Sequence, residues 1–179
     1  WESEENQDKM VALWGKLAER YRDEPTIAGY DLINETNWGF DDNHQTDLNG
    51  CNQSNNAPLW ELQQRCTEAI RAVDQNHMII IEGNCWGNNY NGLPSELWDD
   101  NLTISYHKYW NSNDQGSLDP LLDTRDRWNV PIWLGETGEN SNEWFADAIG
   151  LLEDNNIGWS WWPQKKMGGN NVQEIKITQ

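Results

Sequence analysis

The sequence has little positive charge. Twelve Lys and Arg stand against 30 Asp and Glu in 179 residues, a formal net charge of −18. Affinity for a phosphate backbone comes from Lys and Arg, so this balance argues against nucleic acid as a partner. An anionic membrane surface is disfavoured for the same reason. Long apolar runs are missing too: none reaches the roughly 18 residues of a membrane span. Cysteine is scarce and odd in number, at three. That is too few for a disulfide scaffold, and the spacings fit no zinc site. Cys51 lies in a polar loop, Cys66 in a helical stretch and Cys85 after a strand. Two readings stay open: one bridge, from Cys51 to Cys66, or buried free thiols. Phe is rare, at 2, yet Trp supplies 13 residues. That Trp content, with apolar runs such as Met78–Ile81, needs a core and argues against disorder. The length is that of one ordinary domain. The chain opens on Trp1 and runs straight into a polar helical stretch, so it is expected to be a segment of a longer protein.

Periodicity predicts an alternation of helices and strands. Residues 2–22 carry Met10, Leu13, Trp14, Leu17 and Tyr21 at three- and four-residue spacing, the mark of an amphipathic helix. Asp23-Glu24-Pro25 ends it, since Pro disfavours helix in the residue before it. Residues 27–33 read as a strand, and a loop rich in Asn, Asp and Gly fills about 36–56. Loops of that length in a compact domain are usually functional or disordered. Helices follow over 58–74, 117–128 and 142–154. Strands are expected at Met78–Ile81, Leu102–Tyr106, Ile132–Leu134 and Ile157–Trp161.

Five apolar strands between helices predict a parallel sheet covered by helices. It is either an open doubly wound sheet or part of a (β/α)8 barrel. No G-x-G-x-x-G or Walker sequence follows any strand, which weakens the nucleotide-binding version. The strands share instead polar and aromatic residues at their C-terminal ends: Asn34-Glu35, Glu82 with Asn84 and Trp86, His107 with Tyr109, Glu136, and Trp162. Barrel enzymes place their chemistry there. A strand-terminal Glu alone is commonly a solvated end. Two of them, Glu35 and Glu136, on parallel strands separated by two others, would converge across a barrel mouth. Paired carboxylates suit glycoside hydrolysis, where one protonates the leaving oxygen and the other attacks or activates water. One geometric difficulty arises: in a regular strand Asn34 and Glu35 point to opposite faces. Both can serve one site only if the strand end is irregular.

Asn34-Glu35, His107-Lys108-Tyr109, Trp133 to Glu136 and Trp161 to Lys165 occur in an order that resembles glycoside hydrolase family 5, within the clan of (β/α)8 retaining glycosidases. They look like the ends of its strands four, six, seven and eight. The resemblance covers nearly all 179 residues. It implies a single partial catalytic domain over 1–179: a partial (β/α)8 TIM barrel with about five of eight strands. It also implies roles. Glu35 would be the general acid/base and Glu136 the nucleophile. Asn34 would hold the hydroxyl next to the anomeric carbon, Tyr109 would hydrogen-bond Glu136, His107 would order the site, and Trp162 would form the platform under the reacting sugar. Glu35 must then carry a proton where Glu136 carries a charge, a split that environment can impose on two like groups.

The resemblance further implies a retaining glycosidase acting on β-linked polysaccharide or oligosaccharide, most like an endo- or exo-β-glucanase, with a β-mannanase as the alternative. No metal or cofactor is implied. The complete enzyme is expected to be a monomer, secreted for polysaccharide degradation. The family's first three strands have no counterpart here, and five strands cannot close an eight-stranded barrel. The complete enzyme is therefore expected to be longer, or the segment inactive alone. The rival class is a non-catalytic carbohydrate-binding module, which the Trp content also suits. Binding, however, needs neither strand-end Glu.

Other residues have blander readings. His107 outside its motif would pass for a core histidine. Tyr106 is expected to face the helices, and Trp14, Trp60, Trp128 and Trp144 to sit in helical core stripes. Trp159 and Trp161 are expected to pack. Trp86 and Trp110 either stack on sugar rings or pack as lids. Glu82 is a third pocket acid or an ion-pair partner. Lys165 and Lys166 contact hydroxyls or neutralise carboxylates. His44 and His77 carry no signal.

Overall fold

Glu4 and Glu5 favour the start of the first helix, where the dipole welcomes acids, and Ser3 caps it by accepting the Asn6 N–H at 3.3 Å. The computed structural model describes residues 1–41 and 44–162, so Lys165 and Lys166 lie outside the described residues. The elements in chain order are α1 (Glu4–Tyr21), β1 (Gly29–Asp31), α2 (Ala57–Arg71), β2 (Met78–Glu82), the short turn α3 (Asn84–Gly87), β3 (Leu102–Lys108), α4 (Asp119–Trp128), β4 (Ile132–Gly138), α5 (Asn142–Asp154) and β5 (Gly158–Trp162). A 3-10 turn, Gln115–Ser117, leads into α4. No helix among the described residues is long and apolar enough to cross a membrane.

Strand order in the sheet equals chain order, β1-β2-β3-β4-β5, and the pairs β1–β2 and β4–β5 are parallel. A doubly wound sheet reverses its order at a switch point. An uninterrupted order with helices between strands is that of a partial (β/α)8 barrel.

The chain divides after Ile104 into two compact units. In the first, α1 packs on α2, with Gly15 close enough to Ala69 that a methyl group there would sit 3.7 Å from its Cβ. Leu59, Leu62, Cys66 and Ile70 of α2 are buried with Ile79, Ile80 and Ile81 of β2. The stripe on α1 is narrower than its periodicity suggests: Ala18 is buried, whereas Leu13 is 57% exposed. In the second unit Tyr106, Leu118, Leu134, Ala148 and Leu152 form the core. Of the helical Trp residues, Trp60 is buried, while Trp14, Trp128 and Trp144 are half-buried. Trp161 stacks edge-on against Phe145 at 4.5 Å, as a packing residue should.

The N-terminal ends of β1 and β2 are tied by a buried polar network. Tyr30 donates to Asp74 at 2.8 Å, and His77 Nδ1 lies 2.5 Å from the same carboxylate. Asp74 also accepts the Asn76 and His77 amides, at 2.9 and 3.1 Å. Burial alone would raise the Asp74 carboxyl, but these bonds hold it below its ordinary value. Arg71 grips Asp99 with two bonds, at 2.6 and 2.9 Å, and donates to the Asp74 and His77 carbonyls. His77, silent in sequence, is thus a structural residue.

The cysteines correct one expectation. Cys51 pairs with Cys85, not with Cys66. Cys66 faces the core from α2, where burial pushes its thiol up to about 11.

Two outcomes follow. Cys85→Ser opens a bridge between residues 34 apart, which chain entropy values at about 4 kcal/mol. A matching fall in denaturation midpoint is expected, and an unchanged midpoint would show the loop to be held without it. Asp74→Ala strands buried partners and should cost about 3 kcal/mol in chemical denaturation. Because the Asp74 carboxyl is depressed in the fold, its contribution is complete above the ordinary carboxylate range. It is lost as pH falls through the depressed value, so the deficit of Asp74→Ala should shrink in acid.

Candidate active site

In the first unit the strand ends of β1 and β2 carry the polar residues. The ladder continues one bond past β1, from the Leu32 N–H to the Ile80 carbonyl at 3.1 Å. The chain then leaves the strand, and Glu35 adopts a left-handed backbone, with φ 47°. Alternation is therefore broken between Asn34 and Glu35, as a shared site requires. Asn34 is exposed and Glu35 half-buried.

Three residues beyond the core of β2, spaced two apart, hold the segment that follows. Glu82 is 1% exposed, and its Oε1 accepts the Glu35 N–H at 2.5 Å. Asn84 accepts the Trp38 N–H at 3.0 Å and donates to the Trp38 carbonyl at 2.7 Å. The Trp86 N–H donates to the Thr36 carbonyl at 3.1 Å. Cys85 and Trp86 are themselves left-handed, at φ 54° and 52°, a conformation that costs non-Gly residues energy and persists only where surroundings fix it. Here the Cys51–Cys85 bridge fixes it from one side. Asn88 does so from the other, donating to the carbonyls of Cys85 and Trp86 at 3.3 and 2.9 Å. Trp38 stacks on His44, rings 4.1 Å apart and 5° from parallel. Trp86 is 38% exposed.

In the second unit His107, Tyr109 and Glu136 come together. The Tyr109 hydroxyl donates to Glu136 Oε2 at 2.6 Å, and His107 Nδ1 lies 3.6 Å from the same oxygen. The sequence ends this strand at Leu134; in the structure β4 runs on to Gly138. Its register against β5 moves three residues, Leu134 to Thr137, while β5 moves two, Trp159 to Trp161. The extra residue is a bulge, and it contains Gly135 and Glu136. A bulge re-aims side chains beside a site. Gly135 lets the bulge pass close to β3: a Cβ there would lie 2.4 Å from Ser105 Oγ, and that hydroxyl would have to move. The bulge is tied to β3 by Thr137, whose hydroxyl donates to the Lys108 carbonyl at 2.6 Å. Asn140 holds the Tyr109 carbonyl at 2.8 Å.

Lys108 points the other way from its neighbours. It is 1% exposed, donates to the Ser112 carbonyl at 2.6 Å and to Asn111 at 3.0 Å, and lies beneath the Trp144 ring. Burial brings its ammonium down to about 8. Trp162 ends β5 and is 51% exposed; Trp110 is 74% exposed.

Sequence reasoning set Glu82 aside and did not notice Gln63. The signal was there: a Gln on the apolar stripe of α2, between Leu59 and Cys66, marks a buried polar contact.

The family model described as Cellulase (glycosyl hydrolase family 5) matches residues 2–168. A β-xylosidase of Phanerodontia chrysosporium is 24% identical over 98% of this chain and 41% of its own length. An endoglucanase of Paenibacillus polymyxa is 33% identical over 79% of this chain and 31% of its own. The chain thus spans less than half the length of either relative. Among solved structures, endoglucanase Cel5A of Thermotoga maritima superposes with a TM-score of 0.67 at 22% identity, over 90% of this chain and 60% of that one. Endo-glycoceramidase II from Rhodococcus sp. gives 0.66 at 21% identity, over 92% and 42%. These likenesses show the shared fold, and the family match runs through every strand end described above: the chain belongs to glycosyl hydrolase family 5.

Proposed function

We propose that this chain carries the catalytic carboxylates of a retaining β-glycosidase acting on β-linked glucan. The observation that supports this best is the setting of Glu136. A carboxylate on a strand bulge, receiving a phenol hydrogen bond at 2.6 Å with an imidazole 3.6 Å away, is held in one orientation by its neighbours. That suits a nucleophile better than a solvated strand end.

In this reading Glu136 attacks the anomeric carbon while Glu35 gives its proton to the departing glycosidic oxygen. The C–O bond to the leaving sugar breaks as the bond to Glu136 forms. Glu35, now a carboxylate, then takes a proton from water, which attacks the same carbon and releases Glu136. Retention asks for about 5–5.5 Å between the two carboxyls. Asn34 would hold the neighbouring hydroxyl and Trp162 would lie under the sugar. His107 would order Glu136.

For the substrate, the endoglucanase relatives support β-glucan. Structures of Thermotoga maritima Cel5A with cellobiose and with mannotriose keep β-mannan as a second reading. Export is proposed with it, since a disulfide such as Cys51–Cys85 persists in oxidising surroundings.

Two experiments on the full-length protein test the roles. Glu35→Ala should lower kcat/KM about 10²–10⁴-fold for substrates with poor leaving groups and spare aryl glycosides that need little protonation. Equal loss on both would remove Glu35 from the role. Glu136→Gly should abolish turnover but keep substrate binding. Azide in the vacated space should then yield an α-glycosyl azide from an activated β-substrate. In the wild type, a fluorinated slow substrate should label Glu136, and an adduct found on Glu35 or Glu82 by peptide mapping would overturn the assignment.

A further inference from the structure

Resting on the acid/base reading of Glu35, the geometry points to Glu82 as the positioning residue that holds this acid in its working backbone conformation, with Gln63 holding Glu82 in turn. β1 leaves the sheet after Leu32, whose N–H bonds the Ile80 carbonyl. Residues two apart on a strand present their backbone groups to the same neighbour. The amide and carbonyl of Glu82 are thus left facing the place where β1 no longer runs. Gln63 takes both: its Nε2 donates to the Glu82 carbonyl at 2.8 Å, and its Oε1 accepts the Glu82 N–H at 3.2 Å. Gln63 is 0% exposed, and burying an amide this deeply is tolerated only with its partners in place. One side chain of α2 therefore replaces a strand.

The Glu82 side chain does the second half. Its carboxylate turns toward the departing chain and receives the Glu35 N–H at 2.5 Å. Glu35 is left-handed, a state that L-residues adopt only at an energetic cost. The hydrogen bond that the Glu82 side chain accepts from that N–H offsets the cost. The space for it is made by Gly87, where an added Cβ would come within 3.0 Å of Glu82 Cγ and 3.2 Å of its Oε1. Glu82 thus touches the backbone of the acid and acts through it.

Glu82→Met fills the same volume but offers no acceptor; Glu82→Gln keeps one. In the full-length protein, kcat/KM is read on a β-linked disaccharide and on an aryl β-glycoside with a strongly acidic phenol. Misplacement by about 1 Å can cost on the order of 10²-fold. Glu82→Met should lose about that factor on the disaccharide and little on the aryl glycoside. Glu82→Gln should restore the disaccharide rate. Added to Glu35→Ala, Glu82→Met should cause no further loss on the disaccharide. Gly87→Ala, which presses on the carboxylate from outside, should give the same substrate-selective loss if Glu82→Met does not fold. Equal loss on both substrates, or a Glu82→Gln as slow as Glu82→Met, overturns the inference. Glu35→Ala measured alongside separates the failures: if it discriminates between substrates and Glu82→Met does not, only the positioning role falls.

Discussion

A strand sends successive side chains to opposite faces, and chemistry at a strand end has to break that rule. Two breaks are visible, of different kinds. At the end of β1 the backbone turns left-handed at Glu35. In β4 one extra residue shifts the register around Gly135 and Glu136. Neither is a conformation the backbone prefers, so each is held by contacts whose own residue types are restricted. A carboxylate at 82 and a glycine at 87 serve the first. A glycine at 135 and a hydroxyl at 137 serve the second. Most of the local structure described above follows from keeping these two irregularities in place.

The chain is strongly acidic, yet a few buried polar groups carry the organisation. They separate by end of the strand. At the N-terminal ends, Asp74, His77, Tyr30, Arg71 and Asp99 satisfy one another and contribute to stability. At the C-terminal ends, Glu82, Asn84, Tyr109 and Glu136 are arranged about particular backbone or carboxylate atoms. Barrels in general keep stability at the bottom and chemistry at the top, a division that the roles proposed for Glu35 and Glu136 follow. Lys108 adds a cation on the reverse face of β3, alternating with His107 and Tyr109. The same strand thereby serves a buried cage on one side and the Glu136 cluster on the other.

Much of this was legible in the sequence. Apolar runs between helical periodicities marked strand positions to within a few residues, and the polar residues closing each run marked the candidate site. Strand ends were the weak point. Leu134 looked terminal because Gly135-Glu136 breaks the apolar run, but a bulge lets polar residues continue a ladder. Long-range pairings were not legible. Nothing local distinguishes Cys85 from Cys66 as the partner of Cys51; the choice depends on α2 facing Cys66 into the core while the α3 turn brings Cys85 back to the loop. His77 gave no hint, since its meaning depends on Asp74 and on Tyr30, 44 residues from Asp74 in the chain. The need for an irregular end at Asn34-Glu35 could be foreseen from strand geometry alone, but not that a residue 47 positions away would hold it.

The bridge between Cys51 and Cys85 encloses all of α2 and β2 in a covalent ring. Asn52, Ser54 and Asn55, just inside that ring, are exposed, as cleavage sites tend to be. A peptide bond cut there leaves two polypeptides joined as one molecule, with Glu82, Gln63 and Asn84 still tethered to the segment that bears Glu35. Backbone integrity and molecular integrity are therefore separate properties at this surface: a nicked molecule shows two bands on a reducing gel and one on a non-reducing gel.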